Sequence, residues 1–465
     1  MLGFFLYRIG RWLAQCSLIL RKDGYLSLSE QFSDLAIATH ERALLFFEKS
    51  STTIREYRGS AKLRKFLKYA FKNTPFYQEL LATRKMNLGE IRSLSDIQKI
   101  PILKKEDVRA YHQMLLAKSH PVNHCAPDVT SGSTGIPLRF CLDRCSIPEM
   151  KARLFHLWRL VDVKPHELTL LLSSPKFKQL TPKSVIHINP PRIHSDFEQT
   201  LLEIRKTRPR VLRGNPLAVL EFSWLIRKSG INDIAFETAI LYGHITTPGM
   251  RLFIEETLGC KAFSIYTLGE IGGIACECRL QKGHHVVTDS IIVEVVDKHE
   301  NAVPRGTMGQ IIITDLTNYT MPFIRYNTGD LGKFQIGACP CGKSSPLLFI
   351  DGREEEMLIC PDGKLVFGGS TRDILDKYSD IIERYQIVQE KKEEFIVRIV
   401  PAVNFDKKII DKEISENLAT LFGSDSKISI EYVPVIPLEP SGKFKQFISL
   451  PWKNRFPSGT FSHNA

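Results

Sequence analysis

No stretch of the 465-residue chain stays apolar long enough to span a bilayer, and no small-residue cleavage site follows its first apolar segment. Low-complexity tracts are absent, as is any RNA-binding or helix-turn-helix signature. What remains is a soluble globular chain, in keeping with 43% hydrophobic and 25% charged residues. Acidic residues are in deficit, 51 against 63 Lys and Arg, for a net charge of +12 spread along the chain. That surplus favours anionic partners such as ATP, CoA or an acidic membrane surface, and no specific nucleic acid. Ten cysteines sit at irregular positions, which reads as reduced thiols and metal ligands in a cytoplasmic protein, with disulfides not expected.

The length exceeds one ordinary core, so a large domain and at least one smaller one are expected. At the N-terminus Leu2, Leu6, Ile9, Leu13, Cys16 and Leu20 recur at helical spacing, with Phe5 and Trp12 beside them. Arg8, Arg11, Gln15 and Lys22 fall on the other side. Residues 1–30 therefore read as an amphipathic helix. Two uses are open to it: packing on its own domain, or peripheral contact with a membrane through residues 1–20.

Residues 40–120 read as helical and basic. From 150 to 275 helices and strands alternate: helices over 148–161, 196–206, 216–229 and 248–258, strands over 168–173, 238–241 and 262–266. Such alternation implies βαβ units and a mainly parallel sheet, with ligands at the carboxyl ends of its strands. After 285 the texture turns to β, with strands expected at 286–296, 309–315 and 331–336. Past Gly352 a smaller α+β unit follows.

The segment Thr130-Ser-Gly-Ser-Thr-Gly-Ile-Pro137 packs four hydroxyl side chains and two glycines into eight residues. Glycine permits close backbone approach, and hydroxyls with free N–H groups can wrap phosphate oxygens. Behind it, in order, come Tyr266-Thr-Leu-Gly-Glu270, Tyr326-Asn-Thr-Gly-Asp330, Gly352-Arg353-Glu-Glu-Glu-Met-Leu358 and Pro440-Ser-Gly-Lys443. This ordered set resembles the signature of the AMP-forming adenylating enzymes, which include acyl-CoA synthetases, luciferases and peptide-synthetase adenylation domains.

The resemblance implies an α/β fold: a large N-terminal adenylating domain with mainly parallel sheets and a β-rich subdomain over 31–350, and a small mobile α+β C-terminal domain over 351–465. It implies that Thr130, Ser131, Gly132, Ser133, Thr134 and Gly135 form the phosphate loop. Glu270 would place Mg²⁺ against phosphate oxygens, Tyr266 would lie by the adenine, and Asp330 would accept from the ribose hydroxyls. Arg353 would reach ribose or phosphate, Glu355 would mark the hinge, and Lys443 would bridge the α-phosphate and the attacking carboxylate. The acid pocket would involve Gly214-Asn215-Pro216, Gly243-His244 and Ile271-Gly272-Gly273.

Gly337-Ala-Cys-Pro-Cys-Gly342-Lys343-Ser344 satisfies the Walker A pattern. Pro340 removes a backbone donor, however, and the residues from Pro346 read as extended, so no helix follows to complete a phosphate cradle. Metal ligation suits these residues better. Cys339-Pro-Cys341 is a tight thiolate pair, and Cys278 with His285 can supply the other half of a closed Cys₃His site for structural Zn²⁺, with Cys276 and His284 as competing donors. Glu277-Cys278, Gly283-His284-His285 and the later Cys-Pro-Cys-Gly resemble the phenylacetate–CoA ligase-like branch, with its capsular polysaccharide relatives. In its metal-containing members the matched ligands are Cys278, His285, Cys339 and Cys341. Thr267, Gly269, His244 and Ile136 depart from the family pattern.

The function implied is activation of a carboxylic acid by ATP as its acyl-adenylate and transfer to a thiol, CoA. The alternatives are adenylyl or acyl transfer to another acceptor in polysaccharide or cofactor biosynthesis, and a degenerate nucleotide-binding fold without activity.

Overall fold

The computed structural model describes residues 2–22, 26–119, 124–130, 137–173, 185–188, 193, 195–366, 368–378, 380–402, 407–437 and 444–451. Two compact units emerge. The first joins residues 1–165, 265–328 and 332–349; the second joins 166–264, 329–331 and 350–465.

The first unit opens with five helices, α1 (Leu2–Lys22), α2 (Leu26–Glu48), α3 (Thr52–Asn73), α4 (Pro75–Thr83) and α5 (Lys105–Ala110), then the antiparallel hairpin β1 (Cys125–Thr130) and β2 (Leu138–Asp143), and α6 (Ile147–Arg159). Helix α1 does not leave its apolar face free. Ile9, Leu13 and Ala14 close against Phe32 and Ala36 of α2, and a Cβ on Gly10 would lie within 2.9 Å of the His40 ring, so glycine lets the two helices meet there. Arg11, expected on the polar face, turns inward instead. Its guanidinium lies 3.3 Å from the buried Asp143 carboxylate and 4.1 Å from the centre of the Tyr319 ring. Lys62 of α3, set over the Tyr7 ring, pairs with Glu149 of α6 at 3.1 Å and Asp289 at 3.5 Å. Burial works against the charge on Lys62, and Asp289 and Glu149 outweigh it, raising its pKa. Of the two uses open to α1, the structure shows packing on its own domain for the face that carries Ile9, Leu13 and Ala14. Phe5, Trp12 and Ile19, one heptad apart, stay more than half exposed. No described helix is long and apolar enough to cross a membrane.

The second unit supplies the βαβ units: β3 (Thr169–Leu172), β4 (Val185–Ile188), α7 (Phe197–Thr207), β5 (Val211–Gly214), α8 (Pro216–Lys228), β6 (Thr238–Tyr242) and α9 (Pro248–Leu258). Strand order is β6-β5-β3-β4, and the pairs run parallel as expected. Side chains of strands and helices share one core that includes Leu170, Leu212, Leu241, Phe222 and Phe253. Helix starts follow their caps: Asn215 accepts from Leu217 N ahead of Pro216, and Thr247 accepts from Met250 N ahead of Pro248. β4 was not expected, because four residues, Val-Ile-His-Ile, give too short an alternation to stand out.

β7 (Lys261–Leu268) carries the chain back into the first unit. There follow β8 (Gly272–Glu277), β9 (His284–Val286), β10 (Ile291–Val296), β11 (Gly309–Asp315), β12 (Tyr326–Phe334) and β13 (Leu347–Arg353), in the order β10-β11-β12-β13-β9-β8-β7. The strand expected over 286–296 is two strands, and the one expected at 331 begins at Tyr326.

The C-terminal segment has its own core. It comprises β14 (Leu358–Ile359), β15 (Leu365–Val366), α10 (Gly368–Leu375), β16 (Ile382–Gln389), β17 (Glu394–Pro401), α11 (Lys407–Phe422), β18 (Lys427–Tyr432) and β19 (Phe447–Ser449). Its sheet runs β18-β17-β16-β19. α11 lays Ile414, Leu418 and Phe422 on that sheet, with Phe422 stacked on Phe395 at 4.2 Å. A large mixed α/β fold with a small α+β C-terminal fold is what the motif order implied.

Removing Arg11 would leave the Asp143 carboxylate buried without its cation, a loss worth about 3 kcal/mol for such pairs. Arg11→Ala is therefore expected to lower the urea midpoint by that equivalent. An unchanged midpoint would show that α1 does not depend on the pair.

Candidate functional site

In the first unit, β1 and β2 bracket the hydroxyl-rich loop. Ser131, Gly132, Ser133, Thr134 and Gly135 lie outside the described residues. Thr130 sits at the last pair of the hairpin, opposite Leu138, whose N–H donates to its hydroxyl at 3.4 Å. Its Cγ2 lies 3.5 Å from where a Cβ would stand on Gly269. The fold thus brings the start of the hydroxyl-rich segment against the turn that carries Glu270. At the end of β7 the register slips between Tyr266 and Thr267, a bulge that re-aims the residues after it. Tyr266 is buried, and Glu270 is only 4% exposed. The Tyr326 hydroxyl donates to Glu270 Oε1 at 2.8 Å.

The same hairpin corrects the expectation about cysteines. Cys125 and Cys141 are joined in a disulfide across β1 and β2, because pairing of the strands brings their Cα atoms to 5.5 Å. β2 is anchored from below by Asn318, which donates to the Cys141 carbonyl at 2.8 Å and accepts from Asp143 N at 3.2 Å. The other eight cysteines are free thiols.

In the second unit, Asp330 and Arg353 meet. The guanidinium lies 3.3 Å from the Asp330 carboxylate and 3.8 Å from Glu355. Beside them is a cluster that sequence reasoning did not single out. Arg372 of α10 pairs with Glu356 at 2.7 Å and donates to the Asp351 carbonyl at 3.0 Å and to Gln446 Oε1 at 2.9 Å. Burial opposes the Glu356 charge, and Arg372 restores it, so its pKa falls below the usual range. The one signal in the sequence was Gly368-Gly369: a Cβ on Gly369 would fall 1.9 Å from Asp351 Oδ1 and would displace that carboxylate. His244 also faces this cluster. Burial first, then Arg372, depress its pKa and keep it neutral.

Gly214 ends β5 and Asn215 follows it as the cap of α8, and the Asn215 amide lies 3.7 Å from a Cβ position on Gly243, whose φ is +82°. Two of the three expected pocket stretches therefore adjoin within this unit. The third, Ile271-Gly272-Gly273, packs on α6, with Met150 Cε 3.0 Å from a Cβ position on Gly272. Lys443 lies outside the described residues.

Cys278, His285, Cys339 and Cys341 converge in the first unit, with all four donor atoms within 4.8 Å of one another. Cys278 and Cys339 sulfurs are 3.8 Å apart, and Cys341 Sγ is 3.3 Å from His285 Nε2. Tetrahedral Zn²⁺ with Zn–S near 2.3 Å requires an S···S edge of about 3.8 Å. The His285 Nδ1 meets the Ser345 hydroxyl at 2.9 Å, the outer contact that orients a metal-bound imidazole. Burial, then Lys343, push His285 down to about 4, so it is neutral and able to ligate. Burial and the neighbouring thiols push Cys278 up to about 11. Burial acts the same way on Cys341, but the Lys343 backbone N–H and the neighbouring thiols hold it below the usual thiol range. Cys276 and His284 stand outside the four; His284 Nδ1 approaches the Leu348 carbonyl instead. The Walker-like segment forms turns followed by β13, not a helix, and Lys343 pairs with Glu48 at 2.7 Å.

Residues 358–449 match the family model of the CapK C-terminal domain. A phenylacetate–coenzyme A ligase of Thermus thermophilus is 26% identical over 71% of this chain and 77% of that protein. Protein CapK of Staphylococcus aureus is 22% identical over 82% and 86%. Among solved structures, 2-hydroxyisobutyryl-CoA ligase with an acyl-AMP superposes with a TM-score of 0.75, 20% identity and coverage of 88% of this chain and 92% of that one. An anthranilate CoA ligase with anthranoyl-AMP gives 0.56 at 14% identity, over 73% and 68%.

The disulfide closes a loop of 16 residues, for which cross-linking contributes about 3 kcal/mol. Cys125→Ala in oxidised protein should lower the unfolding free energy by about that amount and have no effect once wild type is fully reduced. Equal stability of oxidised wild type and variant would count against the bond.

Proposed function

We propose, of a chain that belongs to the phenylacetate–CoA ligase-like branch of the AMP-forming adenylating enzymes, with CapK among its relatives, that it activates a carboxylic acid with ATP and passes the acyl group to CoA. The observation that carries this reading is Thr130 packed against Gly269, which sets the phosphate motif beside the buried Glu270. In the first step the acid's oxygen attacks the α-phosphorus and pyrophosphate leaves; in the second a thiolate attacks the acyl carbon and AMP leaves. Both steps are governed by charge, so positioning and electrostatics do most of the work.

Thr130 and the loop after it are assigned to the β- and γ-phosphates, Tyr266 to the adenine edge, and Asp330 to the ribose hydroxyls. Arg353, in contact with Asp330 at 3.3 Å, both steadies that carboxylate and offers charge to ribose or phosphate. Glu270 fits a Mg²⁺ ligand: a buried carboxylate is a hard oxygen donor, and the ion would supply neutralisation of the phosphate oxygens. Lys443 is assigned to the bridge between α-phosphate and carboxylate, and Glu355 to the hinge of a small domain that begins at 351.

The Cys₃His cluster is assigned to structural Zn²⁺. Three thiols and a neutral imidazole leave no open position for chemistry, and the site ties the segments around β8 and β9 to the turn before β13. One observation favours a second reading of the acceptor. Gly243-His244 stands where the family commonly has Gly-Glu, and His244 faces a cluster of two arginines and Glu356, a departure that fits transfer to an acceptor other than CoA.

ATP–pyrophosphate exchange across aryl, fatty and sugar-linked acids tests the reading, and CoA-dependent AMP release tests the acceptor. Lys443→Ala is expected to lower exchange by about 10²- to 10³-fold while ATP binding persists; unchanged exchange would remove the assignment. For the metal, about one Zn²⁺ per chain is expected, and its removal should lower the melting temperature. Metal analysis finding none, or Cys339→Ser with Cys341→Ser melting like wild type, would refute it.

A further inference from the structure

Among the described residues, one side chain hydrogen-bonds Glu270: Tyr326, at 2.8 Å. Both are buried, Tyr326 completely. A phenol has one proton to give, and here it goes to Oε1. Because the donor is neutral, it orients the carboxylate without cancelling its charge, as a lysine or arginine would. The other oxygen remains to meet a cation, a division of labour seen where outer contacts orient a ligating carboxylate.

Tyr326 is itself held rigidly. Arg325, just before it, has a φ of +47° and a buried guanidinium that contacts Glu294 at 3.1 Å and the carbonyls of Ile100 at 2.7 Å and Gln98 at 3.0 Å. The backbone on either side pairs with Leu103, from Leu103 N to the Arg325 carbonyl and from Asn327 N to the Leu103 carbonyl, both at 2.9 Å. The ring meets Phe323 edge-on at 4.9 Å. Two residues on, the Thr328 hydroxyl donates to the Ile311 carbonyl at 2.9 Å. β12 buries Tyr326, Thr328 and Asp330 in alternation and then Leu331 and Gly332, so Tyr326 starts a strand that is held mostly in the interior.

We propose that Tyr326 is a positioning residue that fixes the Glu270 carboxylate for the divalent cation of the bound nucleotide. This rests on the reading of Glu270 given above. The test is ATP binding to the full chain by calorimetry, with and without Mg²⁺, in wild type and Tyr326→Phe. The variant should need about 10- to 100-fold more Mg²⁺ to reach tight binding, bind metal-free ATP as wild type does, and melt cooperatively. A merely structural tyrosine would weaken metal-free and metal-bound ATP alike. Unchanged Mg²⁺ dependence, an equal loss with and without metal, or a variant that no longer melts cooperatively overturns the proposal. Wild type that binds ATP no better with Mg²⁺ removes the reading of Glu270 itself. Mg²⁺-dependent binding without pyrophosphate exchange for any acid removes the proposed reaction and leaves the role of Tyr326 standing.

Discussion

The buried guanidinium of Arg325 sits at the head of β12, and the placing of Tyr326 against Glu270 follows from it. A positive φ in a non-glycine residue costs energy and persists only where its surroundings hold it. Here Glu294 and two backbone carbonyls do so. Burial would push the Glu294 carboxyl up, and Arg325 only partly offsets this, leaving its pKa raised. The pair acts as a clamp where the chain turns between Phe323 and Tyr326.

Buried ion pairs recur throughout the protein as locators. Lys62 with Glu149 and Asp289, and Arg153 with Asp315 at 3.1 Å, each join segments far apart in sequence, and Arg372 with Glu356 ties α10 to the turn ahead of β14. Such pairs add modestly to net stability, because desolvation offsets attraction. Their effect is specificity: a wrong pairing would strand a charge in the core. Helix α1 is held by this principle, with Arg11 inside, and its apolar stripe merely fills the space beside α2.

The metal-like cluster and the Walker-like segment use the same residues, and local backbone decides between them. Pro340 and the turns around it cannot present a run of N–H donors to a phosphate. They can bring two sulfurs onto one side, where the Cys278–His285 pair meets them once β9 pairs with β13. Spacing alone left Cys276 and His284 in contention; strand pairing separates them from the set.

The fold class, the βαβ stretch from β3 to α9 and the order of the loop motifs were legible from the residues, because periodicity, caps such as Asn215-Pro216 and Thr247-Pro248, and close-approach glycines are local effects. The Cys₃His donors were legible as well, from thiol spacing and the branch they resemble. Contacts between distant segments were not. The disulfide between Cys125 and Cys141 depends on a strand pairing invisible in irregular cysteine spacing. The inward turn of Arg11 depends on Asp143 and Tyr319, more than a hundred residues away. Tyr326 looked like the first letter of a motif, and its grip on Glu270 exists only because the turn after β7 and the start of β12 are brought together, 56 residues apart in the chain. Local physics is written in neighbouring residues; which distant charge or hydroxyl a side chain meets is set by tertiary packing.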